Sequence, residues 1–501
     1  MTIADTTNGK MDVAQLEMAR NESAMPNSKS EEGLTHYLDP VLDKKTLFRL
    51  DILLVPLLAS MYLLAFLDRA NIGNARVAGL QKDLGISDTQ YQIAITVTYV
   101  PYIAAELPSN LILKKIGPRI MLPGMVLAWG IVTTLQSQIS TYSGLLACRF
   151  FLGLCEGGLF PGIVLYLSGF YRPHELQVRI ALFFSAAALS GAFSGLLAAG
   201  IQQMNGIGNM HGWQWIFLLE GLFTVCFASL CFWAMPNNPQ GVKTFTKAQA
   251  DHCDYRLTLD ANSVEGAKLS WKSLLSTFKD LHVWINVVAL FCNGCSLFGL
   301  AYFTPTIVQT LNFNPTHTQL LTVPPFVLAF IVTMISAYTA DHYKQRGLTA
   351  IATTLVAIIG FALFLTAKGF GQKYTALCFL IVGVYSSAPS MISWIPNNSA
   401  SHTRRATAVA LGFIMTNAGG ILSTWIYPKK DAPQYAFAAK LNLSFCVVTV
   451  VLLAANLVWL KSLNRKKVTH REHLLKDVAH LSLEEQREAL GDHHPDYKYT
   501  L

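Results

Sequence analysis

About twelve apolar stretches run along this chain, each close to the roughly 20 residues that a helix needs to cross a bilayer. Hydrophobic residues make up 52% of the 501 positions and charged residues 14%, a balance that a soluble domain does not need. The predicted spans lie near residues 50–68, 91–113, 120–138, 144–168, 180–202, 213–235, 283–306, 319–340, 348–368, 374–396, 406–427 and 437–460. The sequence therefore predicts an all-α polytopic membrane protein with twelve transmembrane helices in the lipid bilayer.

The chain divides near its middle, where a long polar segment opening with PNNPQG separates two groups of six spans. The predicted domains are a disordered cytosolic tail (1–46), an N-terminal six-helix bundle (47–236), a cytosolic loop (237–281), a C-terminal six-helix bundle (282–462) and a second cytosolic tail (463–501). Lys and Arg concentrate in every second loop, so the positive-inside rule places both termini in the cytosol. The formal charge of +8 follows from this topology. No basic groove or motif suggests nucleic-acid binding.

Two charged residues stand within one of the apolar stretches, RFFLGLCEGGLFPGIVLYL. Arg149 and Glu156 are seven residues apart, which returns them to nearly the same helix face. A charge at the bilayer centre is expensive, so such residues are functional-site candidates by default. With two similar halves, a substrate site near the midplane and alternating access are expected, as in transporters.

Other activities find little support in the sequence. An ATP-driven pump would need a phosphate-binding loop, and no G-x-x-x-x-G-K-[ST] motif occurs. No constellation of catalytic residues indicates an enzyme. Cys292 and Cys295 have the spacing of a metal or redox pair, but they lie in an apolar span without further ligands. We therefore expect neither a metal nor a cofactor.

A set of motifs spread over the chain resembles the major facilitator superfamily, and within it the fungal anion:cation symporter branch of allantoate and nicotinate permeases. That branch is similar to sialin-type and bacterial sugar-acid symporters. The motifs are LDRANIGNA (67–75), YVPYIAAELPSN (99–110), GPR (117–119), RFFLGLCEGGLFPG (149–162), FYRPHE (170–175) with Arg179, GWQWIFLLEG (212–221), LLTVPP (320–325), SWIPNN (393–398) and RRATAVA (404–410). The resemblance covers about residues 47 to 460 and implies a monomer with the major facilitator fold.

The resemblance also implies roles for the charged residues. Arg69 would hold a substrate carboxylate, Asp68 would pair with Arg149, and Glu156 would carry the coupled proton. A planar guanidinium suits a carboxylate because it offers a two-pronged grip. Two structural alternatives stay open: Asp68 and Arg69 merely end the first span at the water interface, or Arg149 and Glu156 form a permanent bridge within the bundle.

Further candidates lie in the second, sixth, tenth and eleventh spans. Tyr102 matches a substrate-contacting Tyr of the similar symporters, and Glu106 lies on the same helix face, where it is a possible titrating group. Trp394 and Asn417 are candidate substrate contacts, although a role in helix packing is as reasonable for polar groups there. Glu220 lies in a family-typical stretch that does not reveal its role.

Three functions remain. The favoured one is a secondary active transporter that carries a small organic anion across the plasma membrane by proton symport. The second is an exporter of an acidic biosynthetic metabolite, and the third is a transporter-like nutrient sensor.

Overall fold

The computed structural model describes residues 40–261, 276–311, 313–399, 402–478 and 494–501, with five single residues between 480 and 492. All regular secondary structure in these parts of the chain is helical. A helix satisfies its own backbone N–H and C=O groups, which lipid cannot do.

The helices form two sets joined by a shorter helix. The first set comprises α1 (Pro40–Val77), α2 (Leu80–Asp83), α3 (Asp88–Ile116), α4 (Pro118–Gln136), α5 (Tyr142–Glu156), α6 (Leu159–Ser168), α7 (Pro173–Ile201) and α8 (Gly212–Ala234). The joining helix is α9 (Lys247–Ala261). The second set comprises α10 (Leu281–Gln309), α11 (Pro315–Tyr343), α12 (Arg346–Thr366), α13 (Phe370–Asn397), α14 (His402–Ser423) and α15 (Ala436–Thr469), followed by α16 (Arg471–Leu475).

Length and composition of these helices confirm the polytopic membrane fold. Ten candidate spans occur in the described residues, with α5 and α6 counted together, and a shorter apolar helix covers Thr407–Ser423. Helix α3, with 29 residues, also has the length of a span. Large apolar side chains lie on the outside of the molecule; Phe223 and Val451, for example, are each 61% exposed. Such a surface fits lipid rather than water.

Four helix pairings recur in the same order in the two sets. In the first set α1 packs on α7 and α8, α3 packs on α5, and α4 packs on α8. In the second set α10 packs on α14 and α15, α11 packs on α13, and α12 packs on α15. The sets meet where α1 contacts α10, α7 contacts α11 and α3 contacts α14. The interface between them is therefore built from equivalent helices of each set.

Three local features differ from the sequence-based expectations. The predicted span 144–168 is broken at Gly157 and Gly158 into α5 and α6, because these residues form a turn at the end of α5. Residues 40–46, predicted as part of a disordered tail, are the first turns of α1; residues 1–39 lie outside the described part. In the C-terminal tail, α15 extends to Thr469 and residues 494–501 pack against the second set.

One end of the molecule is closed by contacts between the two sets. At this end the backbone N–H of Lys429 donates to Asp88 Oδ2 at 2.6 Å, and the hydroxyls of Thr96 and Thr424 lie 2.7 Å apart. Gly73 packs directly on α10, since an added Cβ would lie 2.3 Å from the backbone carbonyl oxygen of Tyr302 on that helix. We call this the closed end; it carries the connection between α1 and α3.

Candidate functional site

A cavity lies between the two helix sets, on the inner side of the closed end. It is narrow, with a cavity volume of about 30 Å³. Its lining includes Tyr62, Phe66 and Arg69 from α1, Tyr102 from α3, Phe160 from α6, Asn293 and Phe298 from α10, and Phe413 and Asn417 from α14. We call this the central cavity. It has the mixed character of small-molecule sites, in which apolar walls carry a few polar groups.

Arg69 is the charged residue of the central cavity lining. Its Nε donates to Glu156 Oε2 at 2.7 Å. Its guanidinium carbon lies 4.5 Å from the ring centroid of Tyr102, 5.4 Å from that of Phe66 and 6.0 Å from that of Phe298. Aromatic faces attract a guanidinium through their quadrupoles, so the rings help to fix it in place.

Two glycines bring Glu156 to this position. A Cβ added at Gly153 would lie 2.0 Å from the carbonyl oxygen of Thr98, and one at Gly157 would lie 2.3 Å from that of Tyr102. Helix α5 therefore touches the backbone of α3, as expected for a small-x-x-x-small pair. Helix α5 ends at Glu156, which is fully buried beside α1.

The structure does not form the charge pairs that the sequence suggested. No salt bridge joins Asp68 to Arg149, and none joins Arg149 to Glu156, among the described residues. Arg149 and Glu156 share a helix face but are separated by about 10 Å of helix rise, because seven residues each add about 1.5 Å. Adjacent residues on α1 project about 100° apart, so Arg69 enters the central cavity while Asp68 faces the interior of the first set.

Arg149 lies in that interior as well. It is only 2% exposed, and its guanidinium carbon is 5.8 Å from the ring centroid of Phe217 on α8. Its Nε and Nη2 atoms have no hydrogen-bond partner in the described structure. The carboxyls of Asp68 and Glu156 act electrostatically on its guanidinium.

The remaining candidates take different places. Tyr102 and Asn417 line the central cavity, and Asn417 Nδ2 donates to the carbonyl of Phe413 at 3.0 Å. Glu106 lies about one turn beyond Tyr102 on α3 and is buried, but it is not part of the cavity lining.

Trp394 lies apart from the central cavity. It is fully buried, and its indole N–H donates to the carbonyl of Thr500 at 2.8 Å. Its ring makes an edge contact with His282, at 5.7 Å between centroids. The geometry therefore supports a role in holding the C-terminal tail, in place of the substrate contact expected from the sequence.

Several cavity residues were not singled out in the sequence. Asn293 donates to Ser387 Oγ at 2.8 Å, and it lies between the two cysteines whose spacing suggested a metal pair. An amide in an apolar span was the available signal for it. Phe160 and Phe413, with ring centroids 3.9 Å apart, gave no signal because their contact joins distant parts of the chain.

Comparisons with known proteins agree with this architecture. The model of the Major Facilitator Superfamily matches residues 58–424. An uncharacterized transporter of Schizosaccharomyces pombe is 34% identical over 471 residues, covering 93% of each chain. The high-affinity nicotinic acid transporter of Saccharomyces cerevisiae is 30% identical over 483 residues, covering 96% of this chain and 89% of its own.

Among solved structures, the partially occluded inward-open xylose transporter of E. coli is similar with a TM-score of 0.63 at 14% identity. The alignment covers 81% of this chain and 98% of that one. At this identity the likeness concerns the fold alone.

Proposed function

Because the chain belongs to the Major Facilitator Superfamily and is a membrane transporter, we propose that it carries a small organic anion together with protons by alternating access. The observation that carries the proposal is the salt bridge between Arg69 and Glu156 in the wall of the central cavity. One partner recognises the anion and the other accepts the proton.

Arg69 is suited to a carboxylate for geometric reasons. Its bond to Glu156 engages Nε at 2.7 Å, and a guanidinium has four further N–H donors. A substrate carboxylate can take a two-pronged grip on these donors. The cavity's amides, Asn293 and Asn417, are placed to orient the rest of a small molecule.

Glu156 links the anion to a proton through the same guanidinium. When Glu156 is ionised, it competes with the substrate carboxylate for Arg69. Protonation removes that competition and leaves the cationic Arg69 available to the anion. Proton binding and anion binding therefore favour each other, and by linkage the effect is reciprocal.

Alternating access is supported by the placement of contacts around the cavity. Hydrogen bonds such as that between Tyr99 and Tyr302, at 3.0 Å between hydroxyl oxygens, join the two sets at the closed end. On the opposite side of the cavity, the two sets are joined by the contact between the rings of Phe160 and Phe413. The concentration of Lys and Arg in every second loop supports cytosolic chain ends by the positive-inside rule. We propose on this basis that the closed end faces outward and that the protein works in the plasma membrane.

The test is uptake by purified protein in proteoliposomes. A panel of labelled carboxylates is offered at acidic and neutral external pH, with and without an imposed proton gradient. We expect accumulation of one panel member when the outside is acidic, and its loss in Arg69→Lys, because an ammonium lacks the planar fork. Arg465→Ala, which removes an exposed arginine near the end of α15, is the matched control.

Two outcomes would contradict the proposal. Accumulation that is independent of the proton gradient would remove the coupling. Undiminished uptake by Arg69→Lys would remove the proposed anion site. Outward transport of an acid from preloaded vesicles under the physiological gradient would favour the exporter.

A further inference from the structure

A second group of ionisable side chains lies inside the first helix set, away from the central cavity lining. It consists of Asp68 on α1, Arg149 on α5 and Glu220 on α8, which are 2%, 2% and 5% exposed. Nothing in the proposed anion site accounts for Glu220. A buried carboxyl that forms no salt bridge among the described residues of a membrane bundle is a reason to look for its function.

Asn71 fixes the position of Glu220. The Asn71 side-chain N–H donates to Glu220 Oε2. Asp68 and Asn71 are three residues apart on α1 and therefore share one helix face. Asp68 and Glu220 thus lie on facing sides of the contact between α1 and α8, and the charge of Asp68 acts on Glu220.

The polar atoms around this pair are unusually short of partners. Oε1 of Glu220 has no hydrogen-bond partner among the described residues, whereas the carboxyl of Asp68 has the indole N–H of Trp129 on α4 beside it. The hydroxyl of Thr224 on α8 also lacks a hydrogen-bond partner among the described residues. Buried polar groups are normally satisfied, so a run of such atoms points to a ligand that binds among them.

The count of charges indicates which ligand this is. The buried interior next to α1 holds three interacting carboxyls, Asp68, Glu156 and Glu220, and two guanidiniums, Arg69 and Arg149; Glu106 on α3 is also buried but does not interact with these charges. Two guanidiniums compensate two carboxylates, which leaves one negative charge in excess. An uncompensated charge in an apolar interior is strongly unfavourable, and a bound proton removes it.

Among the described residues, the charged side chains that act on the pair are Arg149 and Glu156, both on α5. Helix α8 packs on α1, α4 and α7. Arg119 is at the start of α4, and Glu175 and Arg179 are near the start of α7, whereas the pair lies level with Ser194 near the other end of α7. Fifteen residues from Arg179 to Ser194 correspond to about 22 Å of helix.

We propose that Glu220 is a second proton-binding carboxyl of the transport cycle and that it shares one proton with Asp68. This inference rests on the proposed proton symport. Asp68 and Arg69 are adjacent on α1, so a rotation of α1 that moves Arg69 from Glu156 to a substrate also moves Asp68 relative to Glu220. The anion site and the carboxyl pair are thereby coupled through one rigid helix.

The proton itself is tested by infrared difference spectroscopy on the purified full-length protein, without substrate. The absorption band of a protonated carboxyl lies at a different frequency from that of a carboxylate, and the band shifts in heavy water. We expect the wild type at neutral pH to show such a band and Glu220→Gln to lose it, because two carboxylates then balance two guanidiniums. Gln keeps an oxygen that accepts from Asn71, so the fold is expected to persist.

The controls separate this pair from other carboxyls. Asp68→Asn removes the other member and is expected to lose the same band. Glu106→Gln and Glu175→Gln remove buried carboxyls outside the pair, the second of them bound to Arg256, and both should leave the band in place. A band that survives in both Glu220→Gln and Asp68→Asn would overturn the proposal.

The use of the proton is tested by transport in proteoliposomes under a clamped membrane potential. The probe is the labelled monocarboxylate of the panel that the wild type accumulates best. When two protons enter with each monocarboxylate, one net positive charge crosses the membrane per substrate. In Glu220→Gln this net charge per substrate is expected to fall to zero, while the dependence of uptake on external pH through Glu156 persists. An unchanged charge per substrate, or a requirement for sodium, would overturn the proposal. If no panel member accumulates in the wild type, the proposed symport fails, and the infrared band alone still decides whether the pair holds a proton.

Discussion

Removing the guanidinium of Arg69 should destabilise the protein through Glu156, whatever the substrate is. The carboxyl of Glu156 is fully buried and its hydrogen bond comes from Arg69, 2.7 Å away. At that separation and an effective dielectric constant of about 20, the attraction is about 6 kcal/mol before desolvation is considered. Breaking one side of a buried pair typically costs about 3–5 kcal/mol, which is the loss expected for Arg69→Ala.

A double-mutant cycle separates this loss from the loss of substrate binding. Glu156→Gln added to Arg69→Ala removes the orphaned charge, so most of the lost stability should return. Substrate binding should stay absent, because the carboxylate still lacks its guanidinium; the expected loss is about 2–5 kcal/mol, or roughly 30-fold to several thousand-fold in Kd.

The assays are thermal unfolding in detergent and equilibrium binding of the best transported carboxylate, both on the single and double variants. Stability in the double variant no better than in Arg69→Ala would refute the charge-pair reasoning. Recovery of binding together with stability would show that Arg69 acts only by holding Glu156, and would remove its role as the anion site.

Three further results are expected. Glu156→Gln should abolish uptake against a gradient while counterflow between preloaded and external substrate persists, since Gln resembles the protonated acid; wild-type pH dependence would place the proton elsewhere. Gly73→Val should prevent the closed end from forming, because even a Cβ at this position would lie 2.3 Å from the carbonyl oxygen of Tyr302. Thiol labelling of a cysteine placed in the central cavity should therefore increase, and unchanged labelling would contradict this reasoning. Deleting residues 492–501 should lower the apparent melting temperature more than Trp394→Phe does, because Trp394 makes only one of the tail's hydrogen bonds. Each such hydrogen bond contributes about 0.5–1.5 kcal/mol to stability. Equal effects of the two changes would show that the tail contributes little.

The membrane architecture was accessible from the sequence because it depends on local properties. A run of about 20 apolar residues predicts a spanning helix wherever it occurs, and the spans expected here correspond to helices of the described structure. The glycine pairs were also readable, since Gly153 and Gly157 repeat at helical spacing and pack on α3. Motif resemblance further pointed to Arg69, which the structure brings to the cavity.

The partners of the charged residues depended on the tertiary structure. Which way Asp68 and Arg69 point is set by the rotation of α1 against α7, α8 and α10, and that rotation is fixed by contacts between residues far apart in the chain. The sequence accordingly paired Asp68 with Arg149, whereas the folded chain pairs Arg69 with Glu156.

Trp394 and Glu220 show the same division. Both were visible in the sequence as polar groups within apolar spans. Only the fold decided that Trp394 meets the C-terminal tail at Thr500 and that Glu220 meets α1 at Asn71. Apolar periodicity determines that a segment becomes a membrane helix; the packing of twelve such segments determines which of its faces meets a cavity, a neighbouring helix or lipid, because each rotation is a compromise among several long-range contacts.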